Sequence, residues 1–502
     1  MPAVPRRVPS SSRGSPPKEP RRGPTLIWPG RVWQPGVKPA PAPAIRVDER
    51  FGAAPANRLM FGDALDVAVA LGASGLRGKV DLVYVDPPFA SQASYTHEAR
   101  LDGPADGRVR RTRAYDDSWP DRKAADESED GVGAYLDMLA PRLEAMAALL
   151  APTGSLWVHL DWRAAYLVRV LLDEVMGRKR FLNEIVWRRA PNLGRQAASG
   201  QFGRTLDTLV VYGGPSARLH PPTRLEPIEV AAIRRDDEGR AFTTAPRGDY
   251  TDASMARLAK EGRVHKTSSG RLYVKYFLEP NGAGALCRER RIDTLWTDVP
   301  PLRHAAVSER TGYPTQKPRA LLERIVRCAT APGGTVVDLF AGSGTTGEVA
   351  HALGRTFVLA DRSPVALNTA RARLLRAGVP FDVTSCGVVP GCPEPDDAPE
   401  VRVKKDGAHD LHIDLVRPEE PLAWAVGRTP APEEPFVGTW HSERRFGVAP
   451  VPAARTAVVP AAALAPLVYP AGTAAAVASG AIEVRVYGDD GSVAHRRHAV
   501  PR

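Results

Sequence analysis

The run Thr335-Val336-Val337-Asp338-Leu339-Phe340 passes directly into Ala341-Gly342-Ser343-Gly344-Thr345, and a helix-like pattern follows. Few folds accept that order. An apolar strand feeding a glycine-rich turn and then a helix is the ligand-binding corner of an open α/β sheet. The glycines let a ligand approach the backbone, and the helix start leaves its N–H groups unpaired. The next apolar run, Arg355-Thr356-Phe357-Val358-Leu359-Ala360-Asp361, ends on a carboxylate. An acidic residue at that place accepts hydrogen bonds from both hydroxyls of a ribose. The pair of features therefore implies an adenosine-bearing cofactor. Gly342, Gly344 and Gly347 match the G-x-G-x-x-G spacing of dinucleotide sites, whereas a phosphate loop would need a Lys after Gly344 and has none. NAD and S-adenosylmethionine share the ribose, and this half of the chain leaves the choice between them open.

A second strand narrows it. Val80-Asp81-Leu82-Val83-Tyr84-Val85 is mostly apolar, as buried parallel strands are, and runs into Asp86-Pro87-Pro88-Phe89. In open α/β folds ligands bind at the carboxyl ends of the strands. Consecutive prolines favour extended backbone and bring no N–H of their own. The Pro87 carbonyl and the Asp86 carboxylate are then two acceptors, and Phe89 offers a stacking face. Two acceptors and one aromatic face suit a planar ring amine. Hydrogen bonds drawn from both of its N–H groups raise the electron density on nitrogen and favour attack on a sulfonium methyl, which selects S-adenosylmethionine. A nucleotide-dependent dehydrogenase would give this segment no role.

With these motifs the chain resembles the permuted β group of DNA adenine-N6/cytosine-N4 amino-methyltransferases, which includes modification subunits of restriction–modification systems. In that group the catalytic motif precedes the cofactor motif, and here Asp338 follows Asp86 by 252 positions. The resemblance spans about residues 55–380. Gly62-Asp63, Asn183-Glu184-Ile185-Val186-Trp187, Asp207-Thr208-Leu209 and Thr311-Gly312-Tyr313-Pro314-Thr315-Gln316-Lys317-Pro318 also match family segments. The family often has Pro where this chain has Leu339.

The resemblance implies a Rossmann-like α/β fold in circularly permuted order, acting on double-stranded DNA with S-adenosylmethionine as methyl donor. Asp86 and the Pro87 carbonyl would hold the N6 amine of a flipped adenine, with Pro88 stiffening the segment and Phe89 stacking on the base. Phe340, Gly342 and Gly344 would floor the methionine part beside Thr345, and Asp338 would bond its amino group. Asp361 would hold the ribose and Asp63 the adenine amine. Thr315, Gln316 and Lys317 would close the pocket, Lys317 pairing with the cofactor carboxylate. No metal is needed for the transfer. Relatives of this kind often dimerise or work beside a separate restriction subunit, and by analogy both are candidate partners. Cytosine N4 is the nearest alternative target; the family often has Ser at the first motif position for cytosine, so Asp86 favours adenine. Methylation of RNA or of a protein amine, and an inactive DNA-binding subunit, are further alternatives.

Around these motifs the chain divides by composition. Residues 1–24 read as a disordered basic, Pro-rich tail, 25–214 as the catalytic half, and 215–305 as a target-recognition insert. Residues 306–385 read as the cofactor-binding half and 386–502 as a small β-rich appendage. Residues 90–130, polar and without a clear period, read as a mobile loop around the site. Asn183–Trp187 and Asp207–Tyr212 suggest a hairpin. The formal charge of +11 fits a polyanionic partner, and Arg108-Val109-Arg110-Arg111, Arg188-Arg189 and Arg288-Glu289-Arg290-Arg291 are candidate phosphate contacts. Four cysteines without metal spacing argue against a zinc framework and fit a reducing cytoplasm. No apolar run approaches the roughly 18 residues of a membrane span.

Overall fold

The structure is a computed structural model. It describes residues 25–28, 30–37, 40–52, 55–100, 109–119, 131–190, 200 and 202–387, together with seven strands between 400 and 499. The basic tail 1–24 and Cys392 lie outside the described residues.

Among the described residues the first eight strands are β1 (Ile45–Phe51), β2 (Arg58–Phe61), β3 (Val80–Val85), β4 (Ser94–Arg100), β5 (Val109–Asp116), β6 (Leu150–Leu160), β7 (Phe181–Arg188) and β8 (Leu206–Gly213). The main sheet has 14 strands among the described residues. Its centre runs β6, β3, Thr335–Asp338, Thr356–Asp361, β2 and Phe381–Cys386, and every neighbouring pair in that stretch is parallel. A strand from the first third of the chain therefore lies beside one that begins at Thr335, with Asp338 opposite Tyr84. That pairing is the permuted order realised in space. It sets Asp86, two residues beyond Tyr84, on the same edge as the glycine turn that follows Asp338.

Why these strands are central follows from their two buried faces. Val83, Val85, Val337 and Val358 pack on one side with helices α1 (Ala64–Leu71), α2 (Val132–Ala147) and α3 (Ala165–Leu172). Leu82, Tyr84, Val336, Phe357 and Leu359 pack on the other, with helices Arg319–Ala329, Thr345–Ala352 and Pro364–Arg376. Alternate residues of one strand thus enter different cores, as the two-residue period requires. Helix Arg319–Ala329 buries Leu321, Leu322, Ile325 and Val326 on one stripe; each such side chain contributes about 1.5–3 kcal/mol. The expected hairpin is present: β7 and β8 pair antiparallel, and β8 also runs antiparallel to β6.

Two expectations are corrected. Residues 90–130 are not a featureless loop: β4 and β5 form an antiparallel hairpin, with Tyr95 opposite Tyr115. Residues 101–108 and 120–130 lie outside the described residues. The strands beyond 386 are not all a separate appendage. Phe436–Glu443 pairs with β1, and Ala423–Arg428, Ala481–Tyr487 and Val493–Ala499 continue the main sheet from it. Glu49 fastens them, since its carboxylate meets Arg371 at 3.1 Å, Arg485 at 3.0 Å and the Tyr487 hydroxyl at 3.1 Å. Strands Glu400–Asp406, Asp410–Arg417 and Thr456–Pro460 form a sheet of their own.

Within 215–305 the chain builds a four-stranded and a three-stranded antiparallel sheet. Met255 and Leu258 of helix Asp252–Lys260 pack on Val274 of the first. No helix among the described residues is long and apolar enough to cross a membrane.

Candidate active site

Every residue expected in the site except Gly344 lines one cavity of about 550 Å³ at the carboxyl edge of the parallel strands. That volume lies within the roughly 300–1,000 Å³ usual for small-molecule sites.

β3 delivers Asp86 to this edge. One carboxylate oxygen, Oδ2, takes an ion pair from Lys317. The other, Oδ1, is buried and has no hydrogen-bond partner. Such an oxygen is costly to leave unmatched, so the site is built for a donor. The Lys317 ammonium also lies 5.1 Å from the Phe89 ring centre and 3.4 Å from the Thr315 carbonyl. Lys317, expected beside a cofactor carboxylate, here has Asp86 as its ion-pair partner.

The backbone after Phe89 is held by a residue the sequence reading passed over. Asp117, 1% exposed, accepts from the N–H groups of Phe89, Ala90 and Ser91 at 3.1, 3.0 and 2.8 Å. It also accepts from the Ser91 hydroxyl at 2.6 Å and the Trp119 indole at 2.8 Å. The turn needs this hold, because Ala90 and Gln92 sit at φ 54° and 55°, a left-handed conformation that non-glycine residues adopt at a cost. The clue in the sequence was the β-prone Tyr95-Thr96-His97 facing Arg113-Ala114-Tyr115. Its charged flanks hid the period. Tyr95 and Tyr115 stack at 4.8 Å, and the Tyr115 hydroxyl meets that of Thr315 at 3.1 Å, with Thr315 itself at φ 59°.

A buried polar chain lies next to Phe89. The His159 ring, from β6, stacks with Phe89 at 6.2 Å and 28°. Its Nε2 donates to Asp207 at 3.1 Å, and its Nδ1 shares a hydrogen bond with the Tyr84 hydroxyl at 2.9 Å. Arg189 closes the chain on Asp207 at 2.7 Å. Burial pushes the Asp207 carboxyl up, but the His159 bond and the charges of His159, Lys317 and Arg189 outweigh it and hold the group below its ordinary value.

The cofactor half is organised by carboxylates. Asp338 accepts from Phe340 N–H at 3.0 Å and from the Thr346 hydroxyl at 2.6 Å. Burial pushes its carboxyl up to about 7. Asp361 accepts from Gly342 N–H and Ser363 N–H, both at 2.9 Å, and burial raises it too. Asp63 caps α1 through Leu65 N–H at 2.9 Å and pairs with Arg142 at 2.6 Å.

Two residues of the expected set make well-defined contacts within the fold. Gly344, at φ 74°, stands where a Cβ would meet Ala370 Cβ at 2.8 Å, so its small size serves the packing of helix Pro364–Arg376. Gln316 accepts from Thr311 N–H and hydroxyl at 2.9 and 2.8 Å and donates to the Glu309 carbonyl at 2.7 Å. Its amide therefore braces the 311–316 turn, while the residue lines the cavity wall. Gly342, at φ 48°, keeps its place at the cavity, with a Cβ position 3.1 Å from the Tyr313 ring. Thr345 begins helix Thr345–Ala352 at the cavity wall.

Of the basic clusters, Arg111 pairs with Glu98 at 3.0 Å, Arg290 with Glu226 at 2.9 Å, and Arg288 lies 3.5 Å over Tyr276. Arg108 is outside the described residues. Among the described residues no group of three or more His, Cys, Asp or Glu is arranged to hold a metal ion.

The donor set fits S-adenosylmethionine. Three carboxylates, Asp63, Asp338 and Asp361, face one cavity together with the apolar surfaces of Met138, Phe340 and Pro364. A ligand with cationic centres, a ribose diol and an aromatic ring matches that lining.

The family model described as DNA methylase, of the N6/N4 type, matches residues 80–372. The type II methyltransferase M.EcaI of Enterobacter cloacae is 25% identical over 344 residues, covering 63% of this chain and 69% of that protein. The Mod subunit of the type III restriction-modification enzyme StyLTI of Salmonella typhimurium is 23% identical over 346 residues, covering 60% of this chain and 52%, about half, of that protein. Among solved structures, the cytosine-N4-specific PvuII DNA methyltransferase is 16% identical, with a TM-score of 0.37, covering 65% of this chain and 89% of that one. The M1.HpyAVI–SAM complex is 15% identical, with a TM-score of 0.34, covering 63% and 99%.

Proposed function

The chain belongs to the N6/N4 DNA methylase family, and on that premise we propose that it methylates the exocyclic N6 of an adenine extruded from double-stranded DNA. The observation that carries this reading is Asp86 Oδ1, a buried acceptor without a partner at the end of β3. An exocyclic amine has two N–H groups, and Asp86 Oδ1 and the Pro87 carbonyl take one each. Phe89 stacks on the base. A ring-conjugated amine is hardly protonated, so Asp86 acts by orienting and polarising it more than as a strong base. The target leaves the duplex because its amine is otherwise engaged in pairing.

S-adenosylmethionine, the family's methyl donor, supplies an electrophilic methyl when bound. Asp338 would hold its amino group, Asp361 its ribose and Asp63 its adenine, while Phe340, Gly342 and Thr345 would form the floor. Thr315 closes the rim through its hydrogen bond with Tyr115.

Asp at the first motif position supports adenine over cytosine. The homodimer, the cytoplasmic setting and a separate restriction subunit belong to the same reading; the likeness to a Mod subunit supports the last. Purified protein, labelled S-adenosylmethionine and genomic DNA test it. Label is expected on N6-methyladenine. Label on N4-methylcytosine would overturn the choice of base and leave the family untouched.

A further inference from the structure

Beside the site, at the same edge of the sheet, lies a group of rings that neither core absorbs. β6 runs parallel to β3 with Val158 opposite Val85, and two residues past its end stands Trp162. β8 begins at that edge, with Thr208 opposite Leu160. Four large apolar side chains are exposed there: Trp162 at 44%, Leu206 at 45%, Tyr166 at 75% and Phe202 at 99%. Single exposed apolar residues need no explanation. Here several fall on two short stretches joined through one ring, since Arg204 lies 3.8 Å over Trp162 and Arg163 lies 4.9 Å from it.

Among the described residues of these two stretches, the acidic side chains lie inward. Asp161 and Asp207, 4% and 3% exposed, are buried beneath the patch, where they pair with Arg163 and Arg189. Their guanidiniums are the outer partners, with side chains 38% and 41% exposed. Aromatic rings overlaid by guanidiniums suit a polyanion with stacked bases.

We propose that Trp162, Arg163, Phe202 and Arg204 form the surface that receives the duplex beside the extruded base. Arg163 and Arg204 meet the flanking phosphates, and the Phe202 ring enters the stack where the extruded base leaves a gap. The idea rests on the reading that the substrate is an extruded base in DNA. Apolar wedges of this kind open base steps in other protein–DNA contacts. The gap is costly only while the target is paired, so the wedge acts most on a matched duplex.

The test uses the full chain and a 30-base-pair duplex containing the sequence that methylation mapping of genomic DNA returns, either matched or mismatched at the target. Phe202→Ala is expected to lose about tenfold or more in kcat/KM on the matched duplex and little on the mismatched one, with Phe202→Trp restoring activity. Arg163→Gln and Arg204→Gln are expected to weaken both duplexes, each reducing the slope of log affinity against log salt by about one. Equal loss on matched and mismatched DNA for Phe202→Ala, or no change in any variant, overturns the proposal. So does a shift from dimer to monomer in sedimentation with DNA affinity intact, which would make the patch a self-association surface. Failure of the wild-type chain to methylate DNA would instead overturn the underlying reading.

Discussion

Lys317 and Asp86, 231 residues apart, meet as an ion pair that occupies one oxygen of the carboxylate and leaves the other buried without a partner. The pair leaves one oxygen of Asp86 open for the amine of the proposed substrate. It also separates two roles for the lysine. If the ammonium holds Asp86, Lys317→Met lowers the single-turnover rate of methyl transfer by about 10²-fold or more, as loss of one preorganised electrostatic partner does. Its affinity for S-adenosylmethionine, read by equilibrium dialysis, stays within about twofold. A parallel fall in cofactor affinity would return the lysine to the cofactor carboxylate.

Asp117 is expected to matter to the catalytic turn more than its place in a charged stretch suggests. It gathers three backbone and two side-chain donors, and Ala90 and Gln92 are left-handed within the turn it holds. Asp117→Asn replaces one acceptor oxygen by a donor facing other donors. With about 1–3 kcal/mol for each buried group left unpaired, a loss of about 2 kcal/mol or more is expected in urea denaturation. Amide exchange at residues 89–91 should rise before global unfolding. Unchanged exchange there would mean that the turn holds without Asp117.

Asp338 gives the site a pH dependence with a definite sign. Burial raises its carboxyl to about 7, well above the usual value near 3.8. A raised carboxyl means that the folded state binds the proton more tightly than the unfolded chain. This contribution to stability is complete below about pH 4 and is lost as pH rises through about 7. Cofactor binding runs the opposite way. A cationic amino group prefers the ionised carboxylate, so affinity for S-adenosylmethionine should rise between about pH 5.5 and 7.5. Asp338→Asn should flatten that rise. A wild-type profile that is flat over this range would remove the amino group from Asp338.

How far the sequence carried the reading depended on where each interaction lies along the chain. The strands ending at Asp86, Asp338 and Asp361 were legible because apolar runs followed by Pro-Pro or Gly-x-Gly are local signals, and their common edge follows from the fold they imply. Gly344 and Gln316 carry motif positions too, but what they touch, Ala370 and the Thr311 turn, is set by packing that no spacing reports. The hairpin of β4 and β5 was hidden because Arg and Glu fill its exposed positions, while the residues it buries, His97 and Ala114, are not strongly apolar. The strands beyond 400 carried alternation without any sign of which edge they would join. That edge is chosen by Glu49, 436 residues away from Arg485.

His159 joins β3 and β8 through β6 and gives the sharpest test of the buried network. It is fully buried, bonded to Tyr84 on one nitrogen and Asp207 on the other, and its ring lies against Phe89. His159→Phe keeps an aromatic ring in that place and removes both hydrogen bonds. The Tyr84 hydroxyl and one Asp207 oxygen then lose their buried partners, at about 1–3 kcal/mol each, so urea denaturation should show a loss of about 2–5 kcal/mol. Because the ring beside Phe89 remains, methyl transfer at saturating DNA should stay within about tenfold for the folded fraction. Removing the ring while keeping one polar bond, as in His159→Asn, should reverse the balance, with a smaller loss of stability and a larger rise in the KM for DNA. If the two variants fall together in both measurements, the ring and its hydrogen bonds do not have separable roles, and the packing of Phe89 depends on the polar chain itself.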